Sequence, residues 1–360
     1  MTTKFYSDIL KEPTELAKAL TYTLGDGRTA LEEAAGILKK AQHIYLIGIG
    51  SSWSAGLSVI SFFNAAGRPA ILCDASELLH FGDIAQNAAV VVFSRSGKST
   101  EIVKLLPKFS ARDAKVIAIT NTPESPLARE ADVALKMVAA FDNAVSVSMY
   151  SAMAMIGGLL ACATEGKVDA SLAAKLQSAL AEAGTKLDSW KQQIEAGDWL
   201  DTKAPLYLLA RGASLASSNE GRLLWEEAAK LPATAMPAGG FRHGPQEVIR
   251  KGMRIALWIE LEKMRAQDLA MAADLRKLGV KVLAIGQNLP TTAADVVIQI
   301  PSIPAEWQYV LDIIPIQIAA ECLARMGKQD CDRFRLCQYI VEDEGGLIGP
   351  DMKLEGLDTR

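Results

Sequence analysis

Short apolar runs punctuate the chain at fairly regular intervals. In the first half they fall at 43–48, 70–73, 89–93, 116–119 and 132–136, and in the second at 205–210, 254–259, 281–286 and 295–299. Segments with helical spacing lie between them, at 53–66, 99–111, 124–130, 215–230 and 264–278. Continuous β-branched runs alternating with helices predict parallel sheets covered on both faces, an α/β architecture. A helical leader is expected over 1–28. The Ala/Lys/Glu/Leu-rich stretch 166–200 reads as one connecting helix. Residues 341–360, with Gly345–Gly346 and Gly349–Pro350, read as a tail that wraps rather than folds alone.

The pattern repeats. Ile44-Tyr-Leu-Ile-Gly-Ile-Gly-Ser-Ser52 returns as Leu206-Tyr-Leu-Leu-Ala-Arg-Gly-Ala-Ser214, 162 positions on. Lys115-Val-Ile-Ala-Ile119 returns as Lys281-Val-Leu-Ala-Ile285, and Ala131-Asp-Val-Ala-Leu135 as Ala294-Asp-Val-Val-Ile298, at offsets of 166 and 163. A near-constant offset across three strands predicts a duplicated domain, at 29–165 and 201–340, each a doubly wound parallel sheet flanked by helices. Such sheets bind ligands outside the carboxyl ends of their strands. The loops just after each strand are therefore the ones to inspect.

Composition narrows the function. Of 360 residues, 22% are charged with a formal net charge of −4, and acids and bases are interspersed. No basic stripe points to nucleic acid or an anionic membrane, so any anionic ligand must be held locally. Five cysteines form no CxxC pair, which fits reduced thiols. The N-terminal run lacks the apolar core of a signal peptide, and a cytoplasmic location is the expectation. The uncharged stretch from Val145 to Ala163 is long enough to cross a bilayer, but Ser146, Ser148, Ser151 and Gly157–Gly158 interrupt it. A buried core or subunit-interface helix is expected there.

Two loops carry candidate chemistry. The strand 89–93 runs into Ser94-Arg-Ser-Gly-Lys-Ser-Thr100 and then a helix. Hydroxyls and backbone N–H groups at the positive end of a helix dipole suit a phosphate, with Arg95 and Lys98 adding charge. A helix cap needs one such residue, and this loop offers four. It is no Walker loop, since Val92 stands where the first glycine is required. The second loop, Gly48-Ile-Gly-Ser-Ser-Trp-Ser-Ala-Gly56, is no dinucleotide fingerprint, since Trp53 stands at its third glycine. Its hydroxyls, Ser51, Ser52 and Ser54, fit close approach to a polyhydroxylated ligand.

Acid–base candidates are few. His43 and His80 read as structural, whereas His243 lies in the turn-rich Gly239-Gly-Phe-Arg-His-Gly-Pro245. An imidazole on such a loop is suited to proton transfer. On the helix 215–230 stand Glu220, Glu226 and Glu227. The last two are about 100° apart and cannot both face one site, and spacing does not choose between them. No metal-ligand spacing appears, and neither metal nor cofactor is expected.

Three motifs in order, Gly50-Ser-Ser-Trp-Ser-Ala-Gly56, Ser94-Arg-Ser-Gly-Lys-Ser-Thr100 and Phe241-Arg-His-Gly-Pro245, together with the leader Ile9-Leu-Lys-Glu-Pro13, carry a resemblance from about residue 5 to about 335. The chain resembles the SIS family of phosphosugar isomerases, including the isomerase half of glucosamine-6-phosphate synthase without its glutaminase domain. The resemblance implies that Ser94, Ser96 and Ser99 grip a sugar phosphate beside Arg95, with Ser51, Ser52, Val145 and Tyr339 completing the substrate contacts. It implies that Glu227 moves a proton between C1 and C2. His243 then helps open the sugar ring from a neighbouring subunit, so a homodimer or larger assembly is expected.

Two departures bear on the reaction. Synthase-type members carry an imine-forming lysine near the C-terminus, where Phe334-Arg-Leu-Cys-Gln-Tyr-Ile340 offers Tyr339. A second family lysine, beside the base, is replaced by Leu224. Both weigh against glutamine-dependent amino transfer. The resemblance is nearer to the branch handling tagatose 6-phosphate and galactosamine 6-phosphate, implying isomerisation or deamination. The same residues would serve a deglycase of fructosamine-type adducts, or a non-catalytic sugar-phosphate sensor. The anion is phosphate or an isosteric sulfonate, since Arg95 suits either.

Overall fold

The computed structural model describes residues 2–347. Two helices, α1 (Lys4–Leu24) and α2 (Arg28–Lys40), lead into β1 (Ile44–Gly48), α3 (Ser51–Ala65), β2 (Ala70–Asp74), α4 (Ala75–Phe81), β3 (Ala89–Phe93), α5 (Thr100–Ala111), β4 (Lys115–Thr120), α6 (Pro126–Glu130) and β5 (Val133–Lys136). Next come α7 (Ser148–Thr164), α8 (Ala170–Gly184) and α9 (Leu187–Ala196). The second half runs β6 (Leu206–Ala210), α10 (Leu215–Leu224) with a π-helical turn Trp225–Ala229, β7 (Thr234–Pro237), α11 (Ala238–Phe241), β8 (Arg254–Trp258), α12 (Arg265–Lys277), β9 (Lys281–Gly286), β10 (Val296–Gln299), α13 (Tyr309–Asp312) and α14 (Ile314–Met326).

Both sheets are parallel and five-stranded. Their orders, β2-β1-β3-β4-β5 and β10-β9-β8-β6-β7, are the same topology traversed in opposite directions. Chain order therefore switches between β1 and β3 in one sheet and between β6 and β8 in the other. The central strands are buried along their length, as in β3, where Val90 to Phe93 are 0% exposed. Burying each such side chain contributes about 1.5–3 kcal/mol, which is why unbroken apolar runs mark these strands.

The structure adds helices α2, α4, α11, α13 and α14 to those the sequence pattern marked, and it differs in two further places. The stretch 166–200 is two helices, α8 and α9, with the chain turning through Thr185 and Lys186. The strand β7 escaped notice because it is four residues long, ends in Pro237 and lies half-exposed at a sheet edge. Of the expected tail, residues 341–347 are described and the rest lie outside the described residues.

One continuous apolar core joins the inner faces of both sheets through α1, α3, α7, α10 and α14. The apolar stretch singled out by length is α7, buried on every side rather than amphipathic. Among the described residues no helix is long and apolar enough to cross a membrane. The leader helix α1 fastens this core to the loop before α7. Asp8 and Glu15 accept hydrogen bonds from the backbone N–H groups of Asn143 (2.7 Å) and Ala140 (2.8 Å). Glu12, fully buried, accepts from Ser151 on α7 and from Gln317 on α14 (3.3 Å). Burial pushes the Glu12 carboxyl up to about 8.

Close approach of α7 to the first sheet depends on Gly157. A Cβ there would stand 2.5 Å from Val59 Cγ2 and 2.9 Å from Phe93 Cε1. Replacing Gly157 by Val should therefore destabilise the fold by about 1–3 kcal/mol through overpacking, read as a lowered Tm in a thermal scan. An unchanged Tm would show that α7 does not pack against β3 as described.

Candidate active site

The loop after β3 is built to leave donors at its mouth. Ser94 and Ser96 are buried, and their hydroxyl oxygens accept from the N–H groups of Gly97 (3.1 Å) and Lys98 (3.2 Å), which folds the loop back on itself. Gly97 adopts φ +60°, and a side chain there would also collide with Ser125. Ser99 occupies the N-cap position of α5, yet its hydroxyl makes no cap hydrogen bond. A cap alone does not account for this serine cluster. Ser94, Arg95, Ser96 and Ser99 line one cleft of about 230 Å3 with Ser51 and Ser52, which follow β1 on the other side of the strand switch.

The opposite wall comes from the second half of the chain. There α10 changes to π-helical winding at Trp225, a local widening that often marks functional positions. The turn separates the two adjacent acids. Glu226 pairs with Arg222 at 2.7 Å, whereas Glu227 lines the cleft. Lys230, in the left-handed region at φ +57°, closes this turn, its Nζ donating to the Glu227 carbonyl and to Arg333 O (2.9 Å). Burial pushes the Glu227 carboxyl up to about 7, although Lys230 and Arg95 pull the other way. Seven positions earlier, Glu220 is fully buried, with the Ser51 and Ser54 hydroxyls facing it. Among the described residues neither of its carboxyl oxygens has a partner at hydrogen-bond geometry; burial, then the nearby Glu227, pushes it up to about 8, although the two serine hydroxyls pull the other way.

The segment after α14 roofs the cleft. Arg95 donates to the carbonyl of Tyr339 (2.7 Å), and its guanidinium lies 4.0 Å over the Tyr339 ring. The Tyr339 hydroxyl donates to the carbonyl of Asp142 (2.8 Å). Asp142 itself accepts from the N–H groups of Val147, Ser148 and Met149 at the start of α7. Farther on, the carbonyl of Val341 takes the N–H of Thr100 (3.1 Å), and Glu344 pairs with Lys104 (2.8 Å) and His80 (3.3 Å).

The sequence-selected residues divide accordingly. Ser51, Ser52, Ser94, Arg95, Ser96, Ser99, Glu227 and Tyr339 share the cleft. Val145 does not reach it, being buried in the core at 2% exposure, and its neighbours Ala144 and Ser146 line the wall instead. His243 is exposed on the loop after α11 and does not line the cleft of its own chain. Lys98 is exposed and does not line it either. Sequence reasoning passed over Ser146, Met153, Leu223 and Cys337, which also line it. Among the described residues there is no His/Cys/Asp/Glu cluster able to hold a metal ion.

Two sheets of this topology, with a serine loop at the first strand switch, define a class, and comparison with known proteins agrees. Residues 37–163 match the SIS domain family. A glutamine–fructose-6-phosphate aminotransferase (isomerizing) of Pyrobaculum aerophilum is 26% identical over 353 residues, covering 91% of this chain and 56% of the relative. The chain spans about half the length of the curated relatives it matches. Among solved structures, glucosamine-6-phosphate deaminase from Thermotoga maritima superimposes with a TM-score of 0.78 at 21% identity, covering 94% of this chain and 99% of that one. Tagatose-6-phosphate ketose/aldose isomerase from Escherichia coli gives 0.79 at 19% identity, covering 92% and 95%. At these identities the superpositions establish the fold.

The roof yields a test. Tyr339→Ala removes a cation–π contact and a hydrogen bond, together about 1.5 kcal/mol or roughly tenfold in opening. Tryptic cleavage at Arg333 and Arg335 should accelerate by about that factor, with the remaining chain intact. An unchanged rate would mean that the contacts of Val341 and Glu344 hold the segment without Tyr339.

Proposed function

We propose that the chain is a phosphosugar aldose–ketose isomerase working by proton transfer between C1 and C2. The observation that carries this reading is the placement of the hydroxyl-lined loop 94–99 and the Glu227 carboxyl on facing walls of one cleft. The loop, with Arg95 and the dipole of α5, holds the anionic end of the sugar. Binding at this unreactive end fixes the carbonyl end against Glu227. Glu227 takes the proton from the carbon beside the carbonyl, giving an enediol. Returning that proton to the neighbouring carbon, with a hydroxyl proton passing between O1 and O2 through the enediol, completes the exchange of aldose for ketose. A carboxyl held near 7 by burial is matched to this work, since it can both accept and return a proton.

The second half of the chain is read as a second SIS domain, and His243 as the ring-opening group supplied by another copy of the chain in a homodimer. Its exposure on a loop away from its own cleft suits that role. Amino transfer through an imine is disfavoured, because among the described residues no lysine lines the cleft and Tyr339 packs against Arg95. A second reading keeps the same base but takes an amino-sugar phosphate. The proton moves from C2 to C1, and water then displaces ammonia from the resulting imine. Glu227 on the cleft wall, with Leu224 rather than a lysine just before it, favours a substrate that carries an ammonium group at this end.

Glu227→Gln should lower turnover of a ketohexose 6-phosphate by about 10²–10⁴-fold while binding of the same compound survives. Retained turnover would remove Glu227 from the mechanism. The raised carboxyl also fixes the pH profile. Glu227 is protonated below about 7, so kcat/KM should fall tenfold per pH unit on that side and level off above it. A profile flat from pH 5 to 8 would contradict a base in this environment.

A further inference from the structure

A second cleft, of about 460 Å3, lies at the strand switch of the second sheet, and it matches the first position by position. Gly50 after β1 and Gly212 after β6 share a positive φ, +58° and +56°. The N–H of Ser94 donates to Ile119 O at 3.1 Å, and that of Ile259 to Ile285 O at 2.9 Å. From these anchors each loop runs six residues, 94–99 and 259–264, into its helix, α5 or α12. Ser94, Arg95, Ser96 and Ser99 therefore correspond to Ile259, Glu260, Leu261 and Met264. The helices are exchanged in the same way, α10 reaching the first cleft and α3 the second. Leu223 and Ser61, 162 positions apart, line one cleft each. At that offset the partner of Glu227 is Ala65, which lines the second cleft.

The decisive residue is Glu260. Where the first loop presents a guanidinium, the second presents a carboxylate, and this carboxylate accepts from the backbone N–H groups of Glu262 (3.0 Å) and Met264 (2.7 Å). Those are the loop donors that an anion at the head of α12 would use. The arrangement is fixed from behind. Fully buried Asp268 accepts from the N–H of Glu260 (3.2 Å) and pairs with Arg211 (2.7 Å), so the nearest guanidinium is already committed. The rest of the lining carries charge of both signs, Glu165, Glu262 and Glu306 beside Lys167 and Lys263.

We propose that the second cleft is a counterpart of the phosphosugar site in which the Glu260 carboxylate sits where a ligand's phosphate would. Each chain then accepts one phosphosugar, and Glu260 is the residue that sets that number. The part concerning the first cleft rests on the function proposed above. The part concerning Glu260 does not.

Isothermal titration with inorganic phosphate and with a ketohexose 6-phosphate tests both parts. The unaltered chain should bind one equivalent, and the double variant Ser96→Ala, Ser99→Ala none. Adding Glu260→Ser to that double variant should restore one equivalent of phosphate, whereas Glu260→Gln, still able to accept from both N–H groups, should restore none. Two equivalents on the unaltered chain would overturn the proposal without recourse to any variant. So would a folded Glu260→Ser chain, judged by circular dichroism and Tm, with no phosphate gain of at least tenfold in affinity. Should the unaltered chain bind nothing while Glu260→Ser gains a site, the assignment of the first cleft fails and that of Glu260 stands.

Discussion

The site depends on an exchange of helices across a shared core. The loops of the first sheet supply hydroxyls and a guanidinium, and the facing carboxyl arrives on a helix of the other half. That crossing is possible because α3, α7, α10 and α14 pack between the two sheets as one apolar layer. A sheet and its own helices would present an anion cradle with nothing opposite. Packing between the halves is thus a condition of the chemistry as well as of stability, and mutations far from the cleft, along α7 or α14, act on it through this layer.

Charge in the cleft follows from the same arrangement. The wall near Arg95 is positive and hydroxylated, and the wall near Glu227 is apolar and acidic. Burial outweighs the attraction of Lys230 and Arg95 and leaves Glu227 able to exchange its proton near neutrality. Glu220, buried below it, is pushed up to about 8 by burial and then by the charge on Glu227. Where a lysine beside the base would neutralise this end, Leu224 adds only packing, at 0% exposure.

Much of the α/β arrangement was legible in the sequence because buried parallel strands must be continuously apolar. Runs such as Ala89–Phe93 and Lys281–Gly286 announced themselves, and the repeat followed from comparing them. Elements that carry no such constraint did not. The edge strand β7 has only four residues and little burial, and the break between α8 and α9 at Thr185 and Lys186 is marked by Gly184 alone, a single residue inside an otherwise helix-favouring run. The serine loop was legible because hydroxyls crowd one strand-to-helix turn. The choice between Glu226 and Glu227 was not, since it depends on π-helical winding that shifts which side chain turns inward. Nor did the sequence reveal that Tyr339 covers Arg95, a contact between residues 244 positions apart.

That contact has a bearing on selectivity. With an aromatic face and a carbonyl already on its guanidinium, Arg95 is offered to the solvent only in part. An incoming anion must outcompete both before it gains anything from the serine hydroxyls. Chloride or a lone carboxylate, with one charge and few acceptor lobes, recovers little in that trade, whereas a doubly charged tetrahedral group recovers several short hydrogen bonds at once. On the function proposed above, the aromatic cover would act as a threshold, discriminating among anions by how much they can repay rather than by shape alone.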